Sequence, residues 1–172
     1  MRSEIGVGII GCGSVARWKY VKNLAEMSGV SLRAFYGGRA EEFQQQYGAP
    51  GSAVCRDLAE FLAREDVDAV CICTPNNSHA EIALAALRAR KHVLCEKSIT
   101  LNSAELEEAM ALAEKNNVVL AEAMTIWHMP LYKELWRMKD EQRLGKVQMI
   151  QANFGSFKEY DMRNRFFNRE LA

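Results

Sequence analysis

Residues 4–16, EIGVGIIGCGSVA, run from a short apolar stretch directly into a glycine turn. Residues 4–10 have the composition of a buried strand, and residues 14–28 (SVARWKYVKNLAEMS) have the periodicity of a helix. The turn between them matches the pattern GxGxxA, which binds a pyrophosphate where it joins a strand to a helix. The stretch therefore predicts the first βαβ unit of a dinucleotide-binding domain.

The residue types in the turn suit a phosphate cradle. Gly11 permits the tight turn, and Gly13 lets the backbone approach the phosphates because no Cβ stands in the way. The start of the helix adds free N–H groups and the positive end of its dipole. We expect the cofactor contacts to come from Gly11, Cys12, Gly13, Ser14 and Val15. The alternative is a glycine turn that binds nothing.

Apolar runs and helical patterns alternate from this unit to about residue 122. Strands are predicted at 30–36, 53–55, 68–73, 92–95 and 118–121, and helices at 39–47, 58–64, 79–89 and 102–116. Asp57 and Ser78 are each followed by a glutamate at capping-box spacing, and Asn102 is a further predicted N-cap. The alternation predicts an α/β fold, a doubly wound Rossmann-type parallel sheet covered on both faces.

The pattern then changes, so we assign residues 1–122 to the dinucleotide-binding domain and residues 123–172 to the start of a second, α+β domain. A helix is predicted from 130 to 144, with Gly145 as its stop. Residues 146–154 (KVQMIQANF) alternate in places and predict a strand of a second, antiparallel sheet. An edge strand of this kind exposes unpaired backbone groups, and through it we expect a homo-oligomer.

Composition excludes some classes of partner. The 172 residues include 22 Lys and Arg against 22 Asp and Glu, so the formal net charge is zero. That balance gives no electrostatic reason to expect nucleic acid or an anionic membrane. No apolar stretch approaches the roughly 18–20 residues that cross a bilayer, and Glu4 interrupts the start of the chain where a signal peptide would lie. We expect a cytoplasmic protein with a small-molecule substrate.

The five cysteines form no CxxC pair. Cys71 and Cys73 stand two apart in an apolar run, so in a strand they share one face. We interpret all five as buried free thiols in a reducing compartment rather than as metal or redox ligands, and we expect no metal site.

Ligands of open parallel sheets bind beyond the carboxyl ends of the strands, so the residues at those ends are candidates. Gly37, Gly38 and Arg39 follow the second predicted strand, where an NAD-preferring site usually has an acidic residue. Arg39 would instead pair with a 2′-phosphate, which favours NADP over NAD. The alternative for Arg39 is an ordinary surface arginine in the first turn of a helix.

The strand predicted at 68–73 ends in Thr74-Pro75-Asn76, because Pro75 cannot continue a ladder. His79 follows, either as a cofactor neighbour or as a residue of the helix start that packs on loops. Glu96 and Lys97 come directly after the next strand, and both side chains are costly to bury unless paired or used. We interpret Lys97 as aimed at the reacting carbon for proton transfer and Glu96 as a contact of the nicotinamide ribose; the alternative is a solvated pair in a loop.

The segments GCGSVA, CTPNNSH and LCEKS, in this order, resemble the glucose–fructose oxidoreductase / inositol dehydrogenase family (Gfo/Idh/MocA). The later EAM, His128-Met129-Pro130 and LGKVQMIQANF segments also resemble it, particularly its dihydrodiol-dehydrogenase-like members. The resemblance implies an NAD(P)-dependent oxidoreductase that transfers hydride at a CH–OH carbon of a sugar, polyol or dihydrodiol. It also implies a second domain that shapes the substrate site and often the oligomer interface.

The resemblance assigns roles to single residues. It implies that Lys97 is the catalytic lysine and a substrate contact, that Glu96 contacts the ribose, and that the residues Thr74, Pro75 and Asn76 line the dinucleotide site. The family's Glu-Lys-Pro reads Glu96-Lys97-Ser98 here, which loosens the turn after the lysine. Relatives often have an arginine before the later proline, where this chain has His128-Met129, and we expect His128 to contact substrate.

The resemblance further implies a longer protein, because the family's glycine-rich segment that brings an aspartate to the substrate would follow Ala172. We therefore expect residues 1–172 to bind the cofactor and offer Lys97 without completing the substrate-orienting set, so that activity of this chain alone is not expected. Two other hypotheses stand beside the enzyme: a non-catalytic NAD(P)-binding module or sensor, and a chain that is stable only through pairing.

Overall fold

The computed structural model describes residues 4–153 together with residues 155 and 167. The chain divides into two compact units between Ala123 and Met124. The first unit contains the sheet and most of the helices.

The first unit contains a sheet of six parallel strands in the order β3-β2-β1-β4-β5-β6. The strands are β1 Ile5–Ile10, β2 Val30–Tyr36, β3 Ala53–Val54, β4 Ala69–Ile72, β5 His92–Cys95 and β6 Leu120–Glu122. This order is that of a doubly wound dinucleotide-binding sheet, with its switch point between β1 and β4. The fold class predicted from the sequence is confirmed.

Two apolar cores cover the sheet. Ile9 and Ile10 are both fully buried, yet Ile9 packs in one core with Phe35 and Phe43, and Ile10 packs in the other with Phe61. Successive residues of a strand point to opposite faces, so the central strand supplies both cores. That is why β1 is a continuous apolar run rather than an alternating one.

The helices of the first unit are α1 Lys22–Glu26, α2 Ala40–Tyr47, α3 Leu58–Leu62, α4 His79–Arg88 and α5 Ser103–Asn116. A stretch with π geometry, Ala16–Val21, precedes α1. The helix predicted over 14–28 is therefore present, but its middle part has the wider turns of a π-helix. It ends at Glu26 because Met27 is extended and Gly29, with φ +78°, turns the chain into β2.

Two of the three predicted helix caps are confirmed. The Asp57 carboxylate accepts from Glu60 N at 2.8 Å, and the Asn102 side chain accepts from Glu105 N at 2.9 Å. Ser78 was predicted to cap α4, and this was wrong. A 3-10 turn, Asn76–Ser78, runs straight into α4, so Ser78 already has helical φ and ψ and its hydroxyl points back toward the turn.

The second unit begins with a 3-10 turn, Thr125–His128, followed by α6 Pro130–Asp140. The helix ends four residues before the predicted Leu144, because Gln142 adopts a left-handed conformation with φ +58°. Arg143 N donates to Met138 O and Gln142 N to Lys139 O, which completes a Schellman cap without a glycine.

The strand predicted at 146–154 is not formed over residues 146–153, and residue 154 lies outside the described residues. A strand needs a neighbour to take its backbone hydrogen bonds, and within the described part of the chain none of the six strands pairs with this segment. The alternation of its side chains was therefore not sufficient, and the homo-oligomer expected through this strand loses that structural basis.

All five cysteines are buried and unpaired, as predicted. Among the described residues, no helix has the length and apolar character that a bilayer span would need.

Candidate active site

The candidate residues meet at the carboxyl edge of the sheet. Because the strands are parallel, the segments that follow β1, β2, β4 and β5 all leave at that edge. The ladder continues one residue past the strands: Gly11 N donates to Tyr36 O at 2.9 Å, Cys73 N to Ile10 O at 2.7 Å and Glu96 N to Ile72 O at 2.9 Å. The predicted cofactor segments are thereby fixed side by side.

The two glycines of the turn differ in their surroundings. Gly11 has φ +91°, and a Cβ on it would stand 2.7 Å from both Cys73 C and Thr74 N. Around Gly13, no atom of the described residues comes within 4 Å of the equivalent position. Gly11 is thus required by the fold itself, whereas Gly13 faces open space at the start of a helix, as a phosphate cradle requires.

Cys12, between these glycines, is buried and its thiol donates to Tyr36 O at 3.6 Å. Burial raises the pKa of Cys12 to about 12, although the positive charge of Arg39 acts in the opposite direction. The thiol is therefore neutral at physiological pH and places no negative charge beside a bound phosphate.

Arg39 is exposed and stands immediately before α2. Gly37, with φ +124°, packs against the glycine turn: a Cβ on it would lie 3.2 Å from Cys12 N. The end of β2 therefore adjoins the turn, and it carries a cation where an acidic residue would favour NAD. The selection of NADP by Arg39 stays a prediction.

Glu96 ties the Lys97 segment to the helix that follows the glycine turn. Its Oε1 accepts from the Tyr20 hydroxyl at 2.7 Å and from the Lys19 ammonium at 3.0 Å. Burial pushes the pKa of Glu96 up, but the Tyr20 and Lys19 donors outweigh it, so the pKa lies below its ordinary 4.5. Burial and the neighbouring Glu96 raise the pKa of Tyr20, which keeps its hydroxyl a donor. Glu96 as a ribose contact stays a prediction.

Lys97 is exposed at this edge, while Glu96 before it and Ile99 after it are buried. Thr74, Pro75 and Asn76 are half-buried. Their roles as catalytic residue and cofactor contacts stay predictions.

The His79 side chain is directed into the protein, and a contact between His79 and the cofactor stays a prediction. The ring is fully buried, with Nε2 2.8 Å from Thr74 O and Nδ1 2.8 Å from Ser98 O. Both ring nitrogens are occupied by backbone carbonyls, which supports the other interpretation, a helix-start residue packed on loops. It links the segment after β4 to the segment after β5.

Lys19, Tyr20 and Glu122 belong to the site, although no sequence pattern marked them. Tyr20 is separated from Glu96 by 76 positions, and the Glu122 carboxylate accepts from Ile99 N at 3.0 Å. Only the position of Glu122 at the end of a predicted strand could have drawn attention to it.

His128 is exposed in the second unit, and its contact with substrate stays a prediction. Among residues 4–153, 155 and 167, no group of three or more His, Cys, Asp or Glu could hold a metal ion.

Comparison with known proteins gives a family match over most of the chain. The model of GFO_IDH_MocA, described as an oxidoreductase family with an NAD-binding Rossmann fold, matches residues 5–124. The dTDP-3,4-didehydro-2,6-dideoxy-alpha-D-glucose 3-reductase of Actinomadura kijaniata is 33% identical over 88% of this chain and 46% of its own length. The scyllo-inositol 2-dehydrogenase (NADP(+)) of Bacillus subtilis is 35% identical over 79% of this chain and 41% of its own.

The similarity extends to a third activity and to solved structures. A trans-1,2-dihydrobenzene-1,2-diol dehydrogenase of Xenopus laevis is 36% identical over 69% of this chain and 35% of its own length. A crystal structure of a 3-ketoreductase from Actinomadura kijaniata in complex with NADP superposes with a TM-score of 0.74 and 33% identity, over 84% of this chain and 46% of that one. The chain spans less than half the length of each of these relatives.

Proposed function

This chain belongs to the Gfo/Idh/MocA oxidoreductase family, and from that membership we propose that it binds NADP on the Gly11–Ala16 turn and offers Lys97 to the reaction. The reaction is hydride transfer at a hydroxyl or keto carbon of a sugar, polyol or dihydrodiol. The observation that carries the proposal is a direct link between the glycine turn and the Lys97 segment. The helical stretch that follows the glycine turn holds Glu96, the residue next to Lys97, through Tyr20 and Lys19.

The geometry of the turn fits the cofactor. The backbone of Gly13 borders open space, and the first N–H groups of a helix have no intrahelical partner, so they are free to donate to a pyrophosphate. The neutral Cys12 thiol adds no repulsion. Arg39, exposed at the end of β2, would supply a cation for a 2′-phosphate, and on this ground NADP is preferred over NAD.

The chemistry assigned to Lys97 is proton transfer at Nζ. The nicotinamide, when bound, accepts or supplies the hydride. In alcohol oxidation the free amine of Lys97 takes the proton from the hydroxyl oxygen while hydride leaves the carbon that bears this oxygen. In ketone reduction the Lys97 ammonium returns a proton to the carbonyl oxygen. Glu96, ionised and buried beside it, fixes the start of the segment. Thr74, Pro75 and Asn76 form the neighbouring wall of the dinucleotide site.

A non-catalytic NAD(P)-binding module or sensor, the alternative that the sequence left open, is not favoured. The relatives carry names of dehydrogenases and reductases, and the present chain keeps a lysine where the family pattern has its catalytic one. The five unpaired cysteines further support a reducing, cytoplasmic setting.

The test replaces Lys97 by methionine, which keeps the length of the side chain and removes its charge and proton. NADPH fluorescence should give a dissociation constant within about threefold of the wild type, and turnover of scyllo-inositol, trans-1,2-dihydrobenzene-1,2-diol or a 3-keto sugar by the whole gene product should fall about 10²–10⁴-fold. The control is Lys115→Met, which changes an exposed lysine of α5. Turnover that survives Lys97→Met would remove the catalytic role, and absence of NADPH binding in the wild type would remove the cofactor role.

A further inference from the structure

The turn that carries Lys97 is held from the side by a residue of the neighbouring strand. Glu122 is the last residue of β6 and stands opposite Cys95, the last residue of β5. Its Oε1 reaches past the strand end and accepts from Ile99 N at 3.0 Å. Ile99 is only 6% exposed, so little water competes for this charge-assisted hydrogen bond.

Three contacts thus hold the backbone around Lys97. The Glu96 side chain is anchored by the stretch Ala16–Val21, Ser98 O lies against the buried His79 ring, and Ile99 N donates to Glu122. Lys97 and Ser98 are themselves exposed, so packing does not hold them. The position of Lys97 depends on hydrogen bonds to its neighbours.

The composition of the turn makes such anchoring necessary. Serine follows the lysine here, and serine leaves φ free where a proline would fix it. A displacement of about 1 Å at a catalytic group can cost on the order of 10²-fold in rate. A side-chain acceptor on an adjacent strand is a means of restricting that displacement.

We propose that Glu122 is a positioning residue, which holds the turn 96–99 so that Lys97 faces the bound cofactor. The inference rests on the proposed function, because it concerns the lysine assigned to that reaction. Glu122 does not touch substrate in this proposal; it acts through the Ile99 amide.

The test compares Glu122→Ala, which removes the acceptor, with Glu122→Gln, which keeps an amide oxygen at its position. Glu114→Ala, an exposed glutamate of α5, is the matched control for loss of charge. Two readouts are independent of turnover. The first is hydrogen exchange of the Ile99 amide, and the second is the acetylation of Lys97, measured by peptide mass spectrometry with and without saturating NADP⁺.

In the wild type, Glu122→Gln and Glu114→Ala we expect slow exchange at Ile99 and protection of Lys97 by NADP⁺. In Glu122→Ala we expect exchange about tenfold faster or more and a several-fold loss of that protection, with the NADP⁺ dissociation constant within about twofold. A general destabilisation would weaken NADP⁺ binding and would not be rescued by glutamine.

The outcomes separate the positioning role of Glu122 from the proposed function. If wild-type and Glu122→Ala proteins exchange Ile99 at the same rate, or protect Lys97 equally, the positioning role is overturned while the proposed function stands. If the wild type does not bind NADP⁺ at all, the proposed function fails and this inference fails with it, even where exchange at Ile99 changes as expected.

Discussion

The two glycines of the turn, 11 and 13, should respond in opposite ways to the same added methyl group. Gly11→Ala places a Cβ 2.7–2.8 Å from three backbone atoms of Cys73 and Thr74 at φ +91°. Positive φ costs an L-residue roughly 1–2 kcal/mol, and overpacking against atoms that cannot rotate away costs roughly 1–3 kcal/mol. We expect Gly11→Ala to lower the free energy of unfolding by about 2–5 kcal/mol, a large share of the roughly 5–15 kcal/mol of an ordinary domain.

Gly13→Ala meets neither cost. Its φ is not positive, and among the described residues nothing lies within 4 Å of the new Cβ. Alanine also restricts the unfolded chain, so the free energy of unfolding should be unchanged or rise by about 0.4–1 kcal/mol. The methyl group would occupy the space of the pyrophosphate, and a cost of roughly 1–3 kcal/mol corresponds to NADPH binding about 5–150-fold weaker.

The assay is urea unfolding together with an NADPH fluorescence titration, the latter under conditions in which the unfolding curves show each variant folded. Gly51→Ala is the control, because Gly51 has φ +80° in open space and isolates the conformational cost from the steric one. It should lose about 1–2 kcal/mol of stability and keep the affinity of the wild type. Unchanged NADPH affinity in Gly13→Ala, or a loss of stability there equal to that of Gly11→Ala, would refute the phosphate-cradle argument.

Two further outcomes are expected. The pKa of Glu96 is lower in the folded protein than its ordinary 4.5. The contribution of ionised Glu96 to the free energy of unfolding is therefore present above pH 4.5 and is lost as the pH falls through the pKa of the folded state. The difference in free energy of unfolding between wild type and Tyr20→Phe should shrink as the pH falls below 4.5. Urea unfolding at a series of pH values measures this, with Tyr47→Phe as control, and a difference that is constant with pH would contradict it. Arg39→Ala should weaken NADP⁺ binding about 10–100-fold and leave NAD⁺ binding unchanged, with Arg56→Ala as control. Equal effects on the two cofactors in titration calorimetry would end the assignment of Arg39.

The parts of the fold that the sequence predicted are those set by local chemistry. The β1 run, the glycine turn and the caps Asp57 and Asn102 depend on residues a few positions apart, and each is found where the pattern placed it. The candidate site was likewise located from the residues that come after each strand, because parallel strands bring their carboxyl ends to one edge. Locating the site in this way requires no knowledge of side-chain contacts.

The failures have two causes: a strand lacks a partner distant in sequence, and a competing local arrangement replaces the predicted one. Ser78 was expected to cap α4, but its hydroxyl donates to Pro75 O and is hydrogen-bonded to the Thr74 hydroxyl, within a turn that already leads into the helix. The strand at 146–153 required a neighbour that the alternation of its side chains does not supply. The helix α6 ended early because Gln142 takes the left-handed position that a pattern search assigns to glycine.

At Lys97, a backbone held by hydrogen bonds carries an exposed side chain. The backbone around Lys97 is held by elements from three places in the chain: Tyr20 and Lys19 of the stretch Ala16–Val21, His79 of α4 and Glu122 of β6. The lysine side chain itself is exposed. This arrangement suits the proton transfer proposed for Lys97, because hydrogen bonds hold the backbone while the long side chain leaves Nζ room to reach a substrate oxygen. The Glu96 contacts also couple this backbone to the helical stretch whose start would hold the phosphates. A substitution that shifts the glycine turn should therefore also shift the Cα of Lys97.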